Sequence, residues 1–267
     1  MFIAAAQMQS SVQPEENLAR AKVEIERAAA RGAHMIVFPE IYMAWMSPAE
    51  FTAEAARSHA QSLHDPFVCG LGEAAREHGL WVISGMLETA EHDAQRTHNT
   101  TVVFDAQGTL RASYRKTHMF DAFGYKESDV FVPGRELFHP LETPFGRMGL
   151  FVCYELRFPE IARWQAVQGV DFFVVPSGWV YGPMKEAQWR HLVIARAIEN
   201  SAYVIACDQV GHQFLGRSLI VDPMGVVLAE GSESEGTLFG EVDLQRVRST
   251  RAKVPSLEHR KPEFYGN

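Results

Sequence analysis

An α/β fold with sheets covered on both faces is predicted by three features of the sequence. Short apolar runs alternate with helical stretches along the whole chain. Several of those runs, MIVF (35–38) and VDFFVVPS (170–177) among them, are apolar at consecutive positions, so both faces of the strand meet apolar surroundings. At 267 residues the chain is long enough to bury about three quarters of its unfolded surface. A single doubly wound sheet and two sheets packed face to face both satisfy these features.

FIAAAQM (2–8) reads as a buried strand. Residues 14–31 read as a helix: Pro14 lies in its first turn, Leu18, Ala21, Ile25 and Ala28 form one stripe, and Gly32 ends it. MIVF is the next strand. A helix over 66–78, closed by Gly79, leads to the strand LWVISGML (80–87). NTTVVFD, a turn at Ala106-Gln107-Gly108 and TLRASYRK form a hairpin. GLFVC (149–153) is a strand, succeeded by a helix over 157–168 that ends at Gly169. VDFFVVPS precedes a long helix over 184–200, and AYVIACDQ, GRSLIVD, VVLAE and GTLFGEVD are strands separated by turns at Asp222-Pro223-Met224-Gly225 and near Gly231. Without a Pro/Ser-rich linker, residues 1–267 read as a single domain. A tail runs from about 245, with the basic run RSTRAKVP (248–255) and the terminal YGN on its surface.

Composition narrows the function. The net charge of −8 disfavours nucleic acid and anionic membranes as partners. No apolar run reaches the roughly 18 residues of a membrane span. The first residues, MFIAAAQMQS, lack a basic stretch before the apolar run and read as a strand rather than a signal peptide. Three cysteines, Cys69, Cys153 and Cys207, are too few and of the wrong parity for a disulfide framework, which suits a reducing cytoplasm. The histidines form neither HExxH nor a zinc-spaced Cys/His set, and neither GxGxxG nor GxxxxGK[ST] occurs, so no metal and no cofactor is expected.

Three segments place a reactive side chain where an apolar strand ends: Glu40 after MIVFPE, Lys116 after TLRASYRK and Cys153 after GLFVC. Strand ends are where α/β folds build sites. Glutamate and lysine in such positions are more often capping or solvated residues. A cysteine at a strand-to-helix junction is the stronger signal, because a helix N-terminus lowers a thiol's pKa and makes it nucleophilic.

These segments resemble the three signatures of the nitrilase superfamily, also called carbon–nitrogen hydrolases: FPE with Glu40, YRKTH with Lys116 and GLFVCYELRFPE with Cys153. The resemblance continues through KESDVFVPG (126–134), PSGW (176–179), ARAIEN (195–200), GRSLIVDPMG (216–225) and VPSLEHRKPEFY (254–265). It implies a four-layer α-β-β-α sandwich and a Glu-Lys-Cys triad that hydrolyses amides through a thioester. On that pattern Cys153 is the nucleophile, Glu40 the proton carrier and Lys116 the cation facing the oxyanion. Glu127, in the ESDVFVPG context, is the second glutamate that holds the lysine. The backbone N–H of Tyr154 is a second oxyanion donor, while Trp179, Phe120, Phe123 and Tyr125 are candidates to line the pocket. Glu155 has an open role, Glu160 reads as structural, and His118 as a packing partner.

The implied substrate is a small-molecule amide, releasing ammonia. N-carbamoyl amino acids or a nitrile are alternatives on the same triad, and a non-catalytic scaffold is a third reading that the intact triad disfavours. The short loop KTHMFDAFGYKE borders the pocket and weakens a substrate assignment by family average. The resemblance also implies a homodimer or higher homo-oligomer paired across the helices that flank the nucleophile strand. Stripes suited to this are Ile161, Trp164 and Val167 or Gln168 with Ala162 and Ala166 on one helix, and Trp189, Leu192, Val193 and Ala197 on the other.

Overall fold

The computed structural model describes residues 1–47, 49–211 and 213–265. The strand β1 (Phe2–Gln7) leads into helix α1 (Pro14–Ala30), and β2 (Met35–Val37) comes after the turn at Gly32. Pro14 opens α1 where its missing N–H has no partner to lose, and Glu15 and Glu16 favour the positive end of the helix. Helices α2 (Ala53–His59) and α3 (Pro66–His78) precede β3 (Trp81–Thr89), β4 (Thr97–Phe104) and β5 (Leu110–Arg115). Gly79, at φ +64°, closes α3 in the left-handed conformation that glycine adopts without strain.

A small hairpin, β6 (Asp121–Ala122) and β7 (Tyr125–Lys126), stands between the halves of the chain. The second half begins with β8 (Leu141–Thr143) and β9 (Gly146–Leu150), then a 3₁₀ turn (Cys153–Arg157) and helix α4 (Pro159–Ala166). After β10 (Phe172–Ser177) come α5 (Lys185–Asn200) and β11 (Tyr203–Asp208). The short ribbon β12 (Val210–Gly211) and β13 (Phe214–Leu215) precedes β14 (Leu219–Val221), β15 (Val227–Glu230), β16 (Gly236–Glu241) and α6 (Leu244–Lys253).

The strands form two six-stranded sheets, ordered β16-β1-β2-β3-β4-β5 and β15-β14-β11-β10-β9-β8. In each sheet the central strands are parallel and the flanking pairs antiparallel. The sheets pack face to face, which resolves the choice between one sheet and two. The period of two along a strand assigns the faces. Ile3 and Ala5 of β1, Met35 and Val37 of β2, and Trp81 and Ile83 of β3 join the core shared with Val174, Ile205 and Ile220 of the other sheet. The intervening Ala4, Ala6, Ile36 and Val82 join a second core with Ala21 and Ile25 of α1 and Leu71 and Ala75 of α3. Helices α4 and α5 cover the outer face of the second sheet, through Ile161, Trp189, Val193 and Ala197. The result is the four-layer α-β-β-α sandwich. Among the described residues, no helix is long and apolar enough to cross a membrane.

Three expectations are corrected. The helix expected over 157–168 is a 3₁₀ turn through Arg157 and then α4 from Pro159, because a proline fits the first turn of a new helix better than the interior of an existing one. The segment read as a solvated tail is helical over Leu244–Lys253 and buries Val247 and Thr250; Asp243 caps it through the Gln245 N–H. Of the terminal YGN, Gly266 and Asn267 lie outside the described residues. The α5 stripe expected to be free for a partner is occupied: Trp189, Val193 and Ala197 are buried against the sheet.

Gly85 shows how closely the chain approaches itself at one strand end. A Cβ there would lie 2.2 Å from the Ile41 nitrogen and 2.7 Å from the Pro39 oxygen, both backbone atoms that have no room to yield. Gly85→Ala is therefore expected to destabilise the protein by about 1–3 kcal/mol, the range for overpacking. Urea denaturation measures this, and an unchanged midpoint would contradict the close approach.

Candidate active site

The turn after β2 carries Glu40. Phe38 N donates to Ile83 O at 2.8 Å and Gly85 N to Pro39 O at 3.1 Å, so β3 pins this turn from both sides. Lys116 comes directly after β5, its N–H on Asn99 O at 2.9 Å and its carbonyl accepting from Gly134 N at 2.8 Å. Glu127 opens a one-turn 3₁₀ helix just after the β6–β7 hairpin. Cys153 stands three residues beyond the last pairing of β9, at φ +47°, a conformation that costs a non-glycine residue of order 1–3 kcal/mol.

These four side chains line one cavity of about 210 Å³. Lys116 is 2% exposed, and its Nζ donates to Glu40 Oε1 at 2.9 Å and to Glu127 at 2.9 and 2.8 Å. Asn99 Nδ2 bridges the two carboxylates, at 2.7 Å from Glu40 and 3.2 Å from Glu127. Glu40 Oε2 accepts from Gly178 N at 2.8 Å, and its backbone oxygen accepts from Gln209 Nε2 at 2.7 Å. Phe120 N donates to Glu127 Oε2 at 2.5 Å, fastening the loop of the hairpin to the cluster. Glu127, 4% exposed, is thus no surface loop carboxylate.

Burial works against the Lys116 ammonium, but Glu127 and Glu40 outweigh it and hold its pKa well above the lysine range. Burial pushes Glu127 upward, Lys116 opposes this, and the charge of Glu40 adds to the rise. The Cys153 thiol is also pushed well above its ordinary value, first by burial and then by Glu40, with Lys116 only partly compensating. This corrects the expectation of a thiol acidified by a helix N-terminus. Cys153 opens a five-residue 3₁₀ turn, too short for a strong dipole, and the Glu40 carboxylate opposes ionisation of the thiol.

Tyr154, Trp179 and Phe120 line the same cavity, with Phe123 and Tyr125. The Tyr154 N–H precedes the first hydrogen bond of the turn, Glu155 N to Val152 O at 2.9 Å. Trp179 is fixed by its N–H on Asp208 Oδ1 at 2.6 Å and its Nε1–H on Lys185 O at 2.9 Å. Glu155, fully buried, accepts from Val152 N at 2.7 Å, Tyr114 OH at 2.7 Å, and Thr117 N and Oγ1 at 2.9 and 2.7 Å. Burial works to raise its pKa, but bonds from His118, Thr117 and Val152 outweigh this and hold it below the usual carboxylate range. It ties the loop after Lys116 to the turn of Cys153. His118 turns away from the thiol toward Thr117 and the Phe158 ring. Glu160 lies exposed in the first turn of α4.

Sequence reasoning passed over Asn99, Gly178, Gln209 and Lys185. Asn99 carried a signal, since an amide in a strand covered on both faces needs a buried partner. Among the described residues, no group of three or more His, Cys, Asp or Glu side chains is placed to hold a metal.

The sequence pattern of the carbon–nitrogen hydrolase family matches residues 2–252. Deaminated glutathione amidase of Escherichia coli O157:H7 is 34% identical, over 98% of this chain and 97% of that protein. Omega-amidase NIT2 of Homo sapiens is 31% identical, over 98% of this chain and 96% of that protein. The crystal structure of the Caenorhabditis elegans NitFhit protein superposes with a TM-score of 0.89 at 33% identity, over 99% of this chain; the chain spans 66% of that protein.

A thiol pushed upward by burial stays protonated where a free thiol is half ionised. The thiolate absorbance near 240 nm, taken as wild type minus Cys153→Ala, is expected to be absent at about pH 8.5, the ordinary midpoint. A midpoint below pH 7 would contradict the geometry.

Proposed function

The chain belongs to the carbon–nitrogen hydrolase family and is an amidase, and we propose that it cleaves a small carboxamide through a thioester on Cys153, releasing ammonia. The observation that carries this reading is the convergence of one thiol, one lysine and two carboxylates on the floor of one cavity. As the Cys153 sulfur bonds to the amide carbon, Glu40 takes the thiol proton, so no free thiolate accumulates. The carbonyl oxygen becomes an oxyanion beside Lys116 Nζ and the Tyr154 N–H. The C–N bond then breaks, the proton on Glu40 goes to the leaving nitrogen, and ammonia departs. Glu40 next removes a proton from water, whose oxygen attacks the thioester. The acid leaves and the thiol recovers its proton. Glu127 keeps Lys116 charged and aimed.

Relatives that are themselves amidases favour a carboxamide over the N-carbamoyl amino acid and nitrile readings. A non-catalytic scaffold would have no use for a strained, buried thiol that shares a cavity with Glu40 and Lys116. The three cysteines are free, which suits a reducing, cytoplasmic setting, and residues 1–267 act as one catalytic domain on this reading.

Assembly as a homodimer belongs to the same proposal, on a surface displaced from the one the sequence suggested. Trp164 and Val167 of α4, Ile198 of α5, and Met224, Val226 and Leu228 of the β14–β15 hairpin remain exposed by 36–52%. The hairpin turn abuts Ile198 and Ile194, and Arg163 Nη2 bonds Glu199 O, so these residues form one apolar patch. A two-fold pairing would bury it twice.

Ammonia release, assayed over carboxamides, N-carbamoyl amino acids and nitriles, tests the activity. Cys153→Ala should abolish turnover, whereas Cys69→Ala and Cys207→Ala should retain it; substantial turnover by Cys153→Ala would sink the thioester. Lys116→Arg keeps the charge but replaces a compact ammonium by a planar fork, so kcat should drop by about 10²–10³-fold. Near-normal rates would remove Lys116 from the oxyanion site. Light scattering should give twice the 29.9 kDa chain mass or a multiple of it, and Ile198→Glu should lower it. An active monomer would refute the assembly.

A further inference from the structure

Glu40, the proposed proton carrier, is aimed by two different means. Lys116 and Asn99 take Oε1, at 2.9 and 2.7 Å, whereas Oε2 accepts from the backbone N–H of Gly178 at 2.8 Å. Gly178 stands just past Ser177, the last residue of β10, in a turn outside the ladder. The close packing there demands glycine: a Cβ would lie 2.9 Å from Phe214 Cε1 and 3.3 Å from Glu40 Oε2. Glycine is also the residue with the widest choice of φ and ψ. The donor that meets the carboxylate is thus carried by the least restrained kind of residue, and something else has to hold it.

The flanking carbonyls are held by backbone, Ser177 O by Gln209 N at 3.0 Å and Trp179 O by Leu215 N at 2.8 Å. The next N–H is held by a side chain. Trp179 N donates to Asp208 Oδ1 at 2.6 Å, and Asp208 is the last residue of β11, paired with Ser177. Only the two soft dihedrals of Gly178 separate the Gly178 N–H from the Trp179 N–H, so a clamp on the second restrains the first. Asp208 is fully buried, does not line the cavity, and is itself fixed by its N–H on Ser218 Oγ at 2.9 Å. Its Oδ2 has no hydrogen-bond partner among the described residues, a costly state for an ionised carboxylate. Burial pushes its pKa well above the carboxylate range and the charge of Glu40 adds to the rise, with the Trp179 N–H opposing. Asp208 is thus a neutral acid that offers one acceptor to one backbone donor.

We propose that Asp208 is a positioning residue for Glu40: by accepting from the Trp179 N–H it fixes the glycine turn that presents the Gly178 N–H to Glu40 Oε2. The inference rests on the amidase reading, in which Glu40 is the base, and adds to it a residue outside the cavity. An amide of the same shape offers the same oxygen and can replace the acid, whereas a side chain without an acceptor leaves the turn free. The competing explanation is that Asp208 only fills space between β10, β11 and β14. In that case its loss loosens the packing and exposes the thiol.

Alkylation of Cys153 by iodoacetamide tests this in the Cys69→Ala background, with peptide mass spectrometry to follow the adduct. The sulfur bonds to the methylene carbon, iodide leaves and Glu40 takes the thiol proton, so the rate reports on the base without turnover. Glu40 interacts with Lys116 at the end of β5, Tyr125 of the hairpin and Glu127 after it, Cys153 after β9 and Asp208 on β11. A carboxylate that loses an N–H donor holds its proton more tightly. The acidic limb of the rate profile should therefore move up by about one pH unit in Asp208→Val, and the rate on that limb should drop roughly tenfold. Asp208→Ala, which is smaller, should do the same and keeps the test open where Asp208→Val does not fold. Asp208→Asn should stay within about twofold of the parent rate, with the limb in place. Loss in Asp208→Asn equal to that in Asp208→Ala, or unchanged rates in all three, would overturn the proposal. Faster alkylation in Asp208→Ala and Asp208→Val, as a loosened thiol would give, would overturn it too. Asp208-dependent alkylation in a protein that releases ammonia from no carboxamide would instead sink the amidase reading alone.

Discussion

The fold is organised around one buried ammonium. Lys116 lies between Glu40 and Glu127, with all three side chains out of solvent. Removing an isolated charge of this kind from water costs several kcal/mol, and each of the three is tolerable only because the other two are present. Their origins make this a constraint on architecture as well as on charge. One comes from the turn after β2, one from the end of β5 and one from the turn after the β6–β7 hairpin. Three separate segments must be in register before any of the charges is satisfied. Removing one partner leaves an uncompensated buried charge, a loss of about 3–5 kcal/mol.

The cluster also joins the two sheets. Glu40 belongs to the first sheet, yet it accepts from Gly178 and Gln209, which lie just past β10 and β11 of the second. Glu155 does the converse. It sits in the turn after β9 and accepts from Tyr114 and Thr117 at the end of β5. Two carboxylates, each anchored on one sheet and bonded to the other, hold the strand ends at a fixed distance over the cavity. Cys207 packs at the same interface, its thiol 3.4 Å from Ala6 O and 3.3 Å from Val37 O. A slip of one sheet against the other would break all of these contacts together, so the site's geometry and the packing of the sandwich are one property.

Much of this was legible in the sequence, and the failures have physical causes. Apolar runs and glycine stops located most strands of the two sheets and the helices α1, α3 and α5, although β8 was missed and the strand read over 149–153 ends at Leu150, and the residues that come after three strands meet in space. The number of sheets was not legible, because β1 is apolar at every position from Ile3 to Ala6; that run is equally compatible with helices on both sides or with a helix and a second sheet. Helix α6 escaped because it buries only Val247 and Thr250 within a basic stretch. The thiol's acidity was misjudged because a strand-to-helix junction is visible in one dimension, whereas burial and an adjacent glutamate are not. Lys185 was passed over for the same reason: a lysine at a helix start reads as solvated until three aromatic rings from other segments are seen around it.

The raised thiol pKa fits the charge of the site. Two carboxylates, Glu40 and Glu127, already surround one lysine, and a resting thiolate beside them would add negative charge in a site with little water to screen it. Ionisation of Cys153 is therefore unfavourable on its own. It becomes favourable only if the proton passes to Glu40, which neutralises one carboxylate, while the new negative charge moves onto an oxygen beside Lys116. On the proposed reading, proton transfer, attack and oxyanion formation are coupled because each alone would leave the cavity with a charge it does not stabilise. An amide carbonyl within reach of both Cys153 and Lys116 meets that condition.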